Sequence, residues 1–412
     1  MPGRGIGETT RSRGARSVVP LVAVALVLAG CGGTSRGPGV PGECDTSRGT
    51  LVVGLIAPLS GELAAVGLGM KNSADLAVDQ ANERCAVPGY RLTVQSRDDR
   101  ADPRAGAAAA RELAADPSSI GVLGPFNSSV AVAVQPVLSA AGIVEISPGT
   151  TATSLTRGAN AVNAPLRQYQ TFFRTVPTDA VQGPAAATYL SRTENKRRVA
   201  VVSDGKTYGD GIADEFAKQL VTQGGQVVAR VRAPLGTPRA QVVSTVAAAR
   251  PDAVFYGGEY PEGGPLSAAL AAGGVSVPVM GGDGIVNPGY VTAGGREGDL
   301  GTSVGPPPET LPAAREFVEA YRRAGYPESI GSYGAFTFDA ANVLVDSAVR
   351  SLAEDGEWTP ALRPEMVRAV QGFHGDGITG PLSFDRFGDV STDAVTVYRV
   401  QQGRWAVVGP AD

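Results

Sequence analysis

From residue 50 onward, short apolar runs alternate with stretches of helical spacing, and turn residues separate them. Leu51-Val52-Val53-Gly54-Leu55-Ile56 is a continuous apolar run, which predicts a strand buried on both faces. Met70, Ala74, Ala77, Val78 and Ala81 then recur at helical spacing and give the next helix a core-facing stripe. Pro88-Gly89 marks a turn, and Leu92 and Val94 alternate as the next strand. The spacing continues as helix over 105–115, strand over 120–123, helix over 130–140 and strand over 143–146. This βαβαβ order calls for a parallel, doubly wound sheet. The pattern then restarts, with strands predicted at 198–202, 226–231, 253–256 and 278–280 and helices at 211–223, 241–249 and 266–272. Two such series imply an α/β protein with two lobes of similar construction. Longer helices are predicted at 313–323 and 336–352, and a late hairpin at 395–400 and 405–408 around Gln402-Gly403.

The N-terminus has a different pattern. Arg4, Arg11, Arg13 and Arg16 precede an apolar stretch at 18–28. That stretch is shorter than the roughly 20 residues needed to span a bilayer, so residues 1–30 read as a signal peptide. Leu28-Ala29-Gly30-Cys31 resembles the bacterial lipobox. Lipidation of Cys31 would anchor the exported chain to the outer face of the plasma membrane. Residues 31–47, rich in Gly, Pro and Ser over 32–42, read as a flexible tether. Two cysteines remain, Cys44 before the first strand and Cys85 at the end of the helix after it. A βαβ unit returns these points to one sheet edge, so they form either a disulfide or two free thiols.

The 412-residue chain has a formal charge of −4, and loss of Arg4, Glu8, Arg11, Arg13 and Arg16 with the signal leaves it near −7. No basic block remains for nucleic acid. The one histidine, His374, has no ligand cluster around it, so neither metal nor cofactor is expected. His374 lies in a turn-like stretch, Phe373-His374-Gly375-Asp376-Gly377, and no G-x-S-x-G elbow is present. Asp98 and Asp99 are neighbours on a strand exit and point to opposite faces, which makes a poor acid/base pair. None of these residues marks the chain as an enzyme. Tyr321, Tyr326 and Tyr333 read as packing residues near the long helices.

The loops hold the candidate chemistry. Strands run into Gly/Pro/Ser/Thr segments at 57–61, 124–129, 147–151 and 257–258. Ligands of open parallel sheets bind beyond the carboxyl ends of the strands. Ser128-Ser129 directly precedes a helix, which suits either a ligand carboxylate or an ordinary N-cap.

These segments resemble the periplasmic leucine/isoleucine/valine-binding protein family, the receptors of branched-chain amino-acid ABC transporters. The matching stretches are V-G-L-I-A-P-L-S-G at 53–61, R-D-D-R-A-D-P at 97–103, G-P-F-N-S-S at 124–129 and I-S-P-G-T-T-A-T at 146–153. F-R-T-V-P-T-D-A-V-Q-G at 173–183, Y-G-D-G at 208–211, F-Y-G-G at 255–258, M-G-G-D-G at 280–284 and T-G-P-L-S-F-D-R-F-G-D at 379–389 complete the series. The resemblance implies the type I periplasmic-binding-protein fold, two Rossmann-like lobes joined by a hinge of three crossings. One lobe would be 48–169 with 307–394, the other 170–306 with 395–412.

The same resemblance assigns the ligand carboxylate to Ser128, helped by the backbone at Ser129, and flanks it with the Gly149 carbonyl and Thr151 hydroxyl. Tyr208 matches an aromatic from the second lobe, and Asp283 the acid that meets the ligand ammonium. Two positions depart from the family pattern: Val66 stands where an aromatic is frequent, and Glu259 where tyrosine is frequent. Glu259 either meets a polar or cationic part of the ligand or faces solvent while Tyr260 fills the role. The positions of a disulfide found in some members read Ala101 and Asn127 here. The implied protein is a monomeric substrate-binding component that delivers a small amino acid to a membrane permease. A sensory binder of an amide or other small polar metabolite is the alternative.

Overall fold

A computed structural model describes residues 44–352 and 356–411. The expected signal peptide, Cys31 and the tether up to residue 43 lie outside the described residues. The first half of the chain runs β1 (Gly49–Ala57), α1 (Ala64–Glu83), β2 (Tyr90–Asp98), α2 (Pro103–Ala115), β3 (Ser119–Leu123), α3 (Ser128–Ala140), β4 (Glu145–Ser147), α4 (Ser154–Arg157) and β5 (Phe172–Arg174). Its five strands form one parallel sheet in the order β2-β1-β3-β4-β5. Alternate residues of β1 divide between its faces: Leu51, Val53 and Leu55 enter the core that includes α1, while Ile56 joins the core under α2 and α3. With both faces covered, the strand stays apolar throughout. Asp102 starts α2 by accepting hydrogen bonds from the N–H groups of Arg104 and Ala105, with Pro103 in the first turn.

The chain then continues as α5 (Asp179–Thr188), β6 (Arg198–Ser203), α6 (Thr207–Thr222), β7 (Gln226–Arg232), α7 (Arg239–Ala249), β8 (Ala253–Gly257), α8 (Tyr260–Ala272), β9 (Val279–Gly281), α9 (Pro288–Thr292) and β10 (Leu300–Val304). It returns to the first sheet with α10 (Arg315–Ala324), α11 (Gly334–Ser351), α12 (Arg363–Gln371) and a small hairpin, β11 (His374–Gly377) with β12 (Gly380–Ser383). It ends on the second sheet with β13 (Val395–Gln401) and β14 (Arg404–Pro410). The second sheet has the order β14-β13-β10-β9-β8-β6-β7, antiparallel only at β13 and β14. Phe216 of α6 stacks on Phe255 of β8 at 3.9 Å in its core.

Three expectations are corrected. The first lobe does not end at residue 169, because Phe172–Arg174 pairs with β4 and buries Phe172 and Phe173 in the first sheet. His374 sits in a strand and not in a turn-like stretch, since backbone pairing with β12 organises that segment. The helices expected from 211 and 266 begin earlier, at Thr207 and Tyr260. Glycines in those first turns look like breakers in sequence, yet they serve close packing. A Cβ on Gly209 would stand 2.1 Å from Asp204 Oδ1, and one on Gly264 2.4 Å from the Tyr290 carbonyl.

Cys44 and Cys85 are joined in a disulfide across 41 residues, which holds the start of the described chain to the end of α1. A bridge closing such a loop is worth about 2–4 kcal/mol.

Glu145 of β4 is fully buried, and neither carboxylate oxygen has a hydrogen-bond partner among the described residues. Burial pushes its pKa well above the ordinary glutamate value, so the folded state holds it as the neutral acid. The unfolded chain releases that proton above its own lower pKa, so the wild type loses stability as pH rises between the two values. Glu145→Gln keeps the shape and removes the titration. Urea unfolding should find the stability difference shifting in favour of the variant as pH rises above the unfolded glutamate pKa, by up to about 1.4 kcal/mol per pH unit. A difference that stays constant between pH 5 and 8 would refute this account.

Candidate functional site

Both sheets reverse strand order beside their first strand, at β1/β3 and at β6/β8. Such switch points open a crevice beyond the carboxyl ends of the strands. The loops after β3, β4, β6, β8 and β9 meet there around one inner cavity. Its walls are Phe126, Asn127, Ser128, Gly149, Thr151, Tyr208, Glu259, Asp283, Gly284 and Tyr333. The free space between them is about 10 Å3, room for a single water. A wider outer cleft of about 290 Å3 shares Phe126, Asp283, Gly284 and Tyr333 with it and adds Val66, Tyr260 and Ile330. Six of the expected residues therefore share one cavity, and Val66 lines the cleft outside it. Ser129 is part-buried in the first turn of α3 and lines neither space.

One wall offers hydroxyls and main-chain groups. Ser128 opens α3, and its Oγ accepts from the Ala152 N–H at 3.3 Å. Ser147 ties the two loops of this wall together: its Oγ donates to the Pro125 carbonyl at 2.8 Å and accepts from the Thr150 N–H at 3.0 Å. Behind the wall lies Arg174, with no solvent exposure. Its guanidinium donates to the carbonyls of Thr150 at 2.8 Å and Ala152 at 3.1 Å, to Thr156 Oγ1 at 2.6 Å and to Asp389 Oδ1 at 2.8 Å. The loop carrying Gly149 and Thr151 is thus held from beneath.

The opposite wall centres on Asp283, just after β9. Tyr208 donates its phenol to Oδ1 and Tyr333 to Oδ2, each at 2.8 Å. Burial raises the Asp283 pKa, while these two phenols and Gln182 oppose the rise. Burial, then the charge of Asp283, pushes both tyrosines well above their ordinary value, so they remain donors. Asp179, at the start of α5, is also fully buried and is pushed well up by burial and by Asp283.

Tyr333 corrects the sequence reading, which made it a packing residue. Besides meeting Phe126 edge-on at 4.9 Å, it supplies a phenol to the site. Its signal was present: like Ser128, it stands where a loop with small residues runs into a helix. Asp179 and Gln182 were also missed, although both lie in the P-T-D-A-V-Q-G stretch.

Glu259 follows neither expected course cleanly. It is buried and turned into the inner cavity, so it does not face solvent. Its Oε1 accepts from Asn127 Nδ2 and its Oε2 from Lys206 Nζ at 2.8 Å. Tyr260 lines the outer cleft and donates its phenol to the Glu62 carbonyl. Asn127 to Glu259, Glu62 to Tyr260 and Tyr333 to Asp283 each join first-sheet to second-sheet elements.

Loops from two facing parallel sheets, closing on one polar cavity, define a two-lobed protein that holds a small molecule between its halves. The chain belongs to the periplasmic binding protein family, which it matches over residues 50–404. A Leu/Ile/Val-binding protein homolog from Brucella melitensis is 27% identical over 369 residues, covering 88% of this chain and 95% of its own. The leucine binding protein LivK of Thermotoga maritima superposes with a TM-score of 0.75 at 24% identity, over 87% of this chain and 98% of that one. LivJ of Streptococcus pneumoniae, solved in complex with isoleucine, gives 0.75 at 24% identity, over 88% and 100%. The fold is that of type I periplasmic binding proteins.

Proposed function

We propose that this chain is the extracytoplasmic substrate-binding component of an ABC importer, which closes on a small amino acid and delivers it to the permease. The ligand class is a branched-chain amino acid or a related amino compound, as the names of its relatives suggest. One observation carries the reading: the buried carboxylate of Asp283 stands across a single cavity from the hydroxyl and main-chain wall of Ser128, Gly149 and Thr151. An α-ammonium needs the first and an α-carboxylate the second. The lobes are 48–174 with 307–394, and 175–306 with 395–412, hinged where the chain passes between the sheets. Cys31 is the lipid anchor and binding involves no catalytic step.

A thermal-shift series with the purified protein tests the reading. A ligand that binds only the native state raises the melting temperature progressively with concentration. At least one amino acid should do so at millimolar concentration or below. If none of the twenty common amino acids nor ornithine moves the transition, the site is not an amino-acid site.

A further inference from the structure

Charge is unbalanced at the Glu259 end of the cavity. Lys206 Nζ lies 2.8 Å from Glu259 Oε2 and 3.7 Å from Asp204 Oδ2, so one ammonium serves two buried carboxylates. Glu262 adds its charge to Lys206, and the fully buried Asp99 lies within the field of Glu259. Burial first, with neighbouring carboxylates adding, pushes Asp99 up to about 7, and burial pushes Asp204 up to about 6 against the opposing pull of Lys206. Acceptors around Lys206 therefore outnumber the cations that answer them.

A second observation comes from the cavity wall. Asn127 is 95% buried and lines the inner cavity, and its amide is oriented by donating Nδ2 to Glu259. That orientation leaves Asn127 Oδ1 buried with no hydrogen-bond partner among the described residues. An unpaired acceptor beside a carboxylate calls for a donor that the described residues do not supply. Lys206 is the replaceable member of the group: its side chain is 37% exposed, and its long stem can carry the ammonium out to water.

We propose that the preferred ligand is an amino compound with a second cationic group, which takes the place of Lys206 at Glu259 and gives Asn127 Oδ1 its missing donor. This rests on the reading of the cavity as an amino-acid site, with Asp283 receiving the α-ammonium. An aliphatic side chain offers no donor at this end, and it would leave Asn127 Oδ1 unpaired beneath a methyl group.

Calorimetric titration of the purified protein with matched pairs tests this directly. Lysine is compared with norleucine and ornithine with norvaline, with arginine and leucine alongside. At least one basic member should bind tenfold or more tighter than its uncharged match. Glu259→Gln should cut that preference to below threefold, and Lys206→Met, which removes the competing cation, should widen it. If leucine and the uncharged members bind as tightly as the basic ones, the inference is overturned and the amino-acid reading stands. If neither class binds, the amino-acid reading falls and takes the inference with it.

Discussion

Replacing Arg174 with methionine should remove about 3–5 kcal/mol of folding stability, the cost of leaving a buried ion pair without one partner. Arg174 is fully buried, and Asp389 has a side-chain exposure of only 5%. Without the guanidinium, Asp389 keeps the part-exposed Arg157 at 2.9 Å and the hydroxyl of Thr156. The carbonyls of Thr150 and Ala152 and the hydroxyl of Thr156 lose their donors in the same step. Lysine should not rescue the variant, since a single ammonium cannot reproduce four bonds from one planar fork. Equilibrium unfolding in urea measures the effect, and a loss below 1 kcal/mol would show that water replaces these bonds cheaply. There is also a pH signature. Burial alone would raise the Asp389 carboxyl, but Arg174 and then Arg157 outweigh it and hold the group below its usual range. Its stabilising contribution is therefore complete above the unfolded aspartate pKa and is lost as pH falls through the lower folded value. Arg174→Met should flatten that acid limb.

Asp283→Ala should weaken ligand binding at least about a hundredfold, because it leaves a desolvated ammonium without its counter-ion at a cost of about 3–5 kcal/mol. The phenols of Tyr208 and Tyr333 would remain in the cavity as weak, neutral partners. Asn at this position keeps the size and loses the charge, so its loss should approach that of alanine. Calorimetric titration with whichever amino acid binds the wild type, beside a circular-dichroism check of folding, decides the matter. A folded Asp283→Ala protein with unchanged affinity would move the ammonium site elsewhere, with Asp179 the nearest alternative. The two variants separate two kinds of residue. Arg174 acts on the loop that forms the wall, whereas Asp283 lines the cavity and is proposed to meet the ligand.

The apolar runs of β1, β3, β6 and β8 were legible because a strand covered on both faces needs an unbroken hydrophobic sequence. The stripe of α1 was legible for the matching reason at helical spacing. β5 was not, because three residues are too few to show a period, and Arg174 within it looks like a surface residue. The starts of α6 and α8 were hidden by glycines whose role is close packing. Loop chemistry pointed to Ser128, beside a helix at a strand end, whereas Gly149, Thr151 and Asp283 were assigned by the resemblance of their segments to the leucine/isoleucine/valine-binding family.

By itself the sequence determined the class of the elements, their order and the loops that would bear function, because periodicity and turn chemistry are local properties. Only the tertiary structure decided which side chains from distant elements meet: Tyr333 with Asp283 across 50 residues, Asn127 with Glu259 across 132, and Arg174 with Asp389 across 215. Burial gives these pairs their strength, and burial is a property of the assembled sheets that no single segment carries.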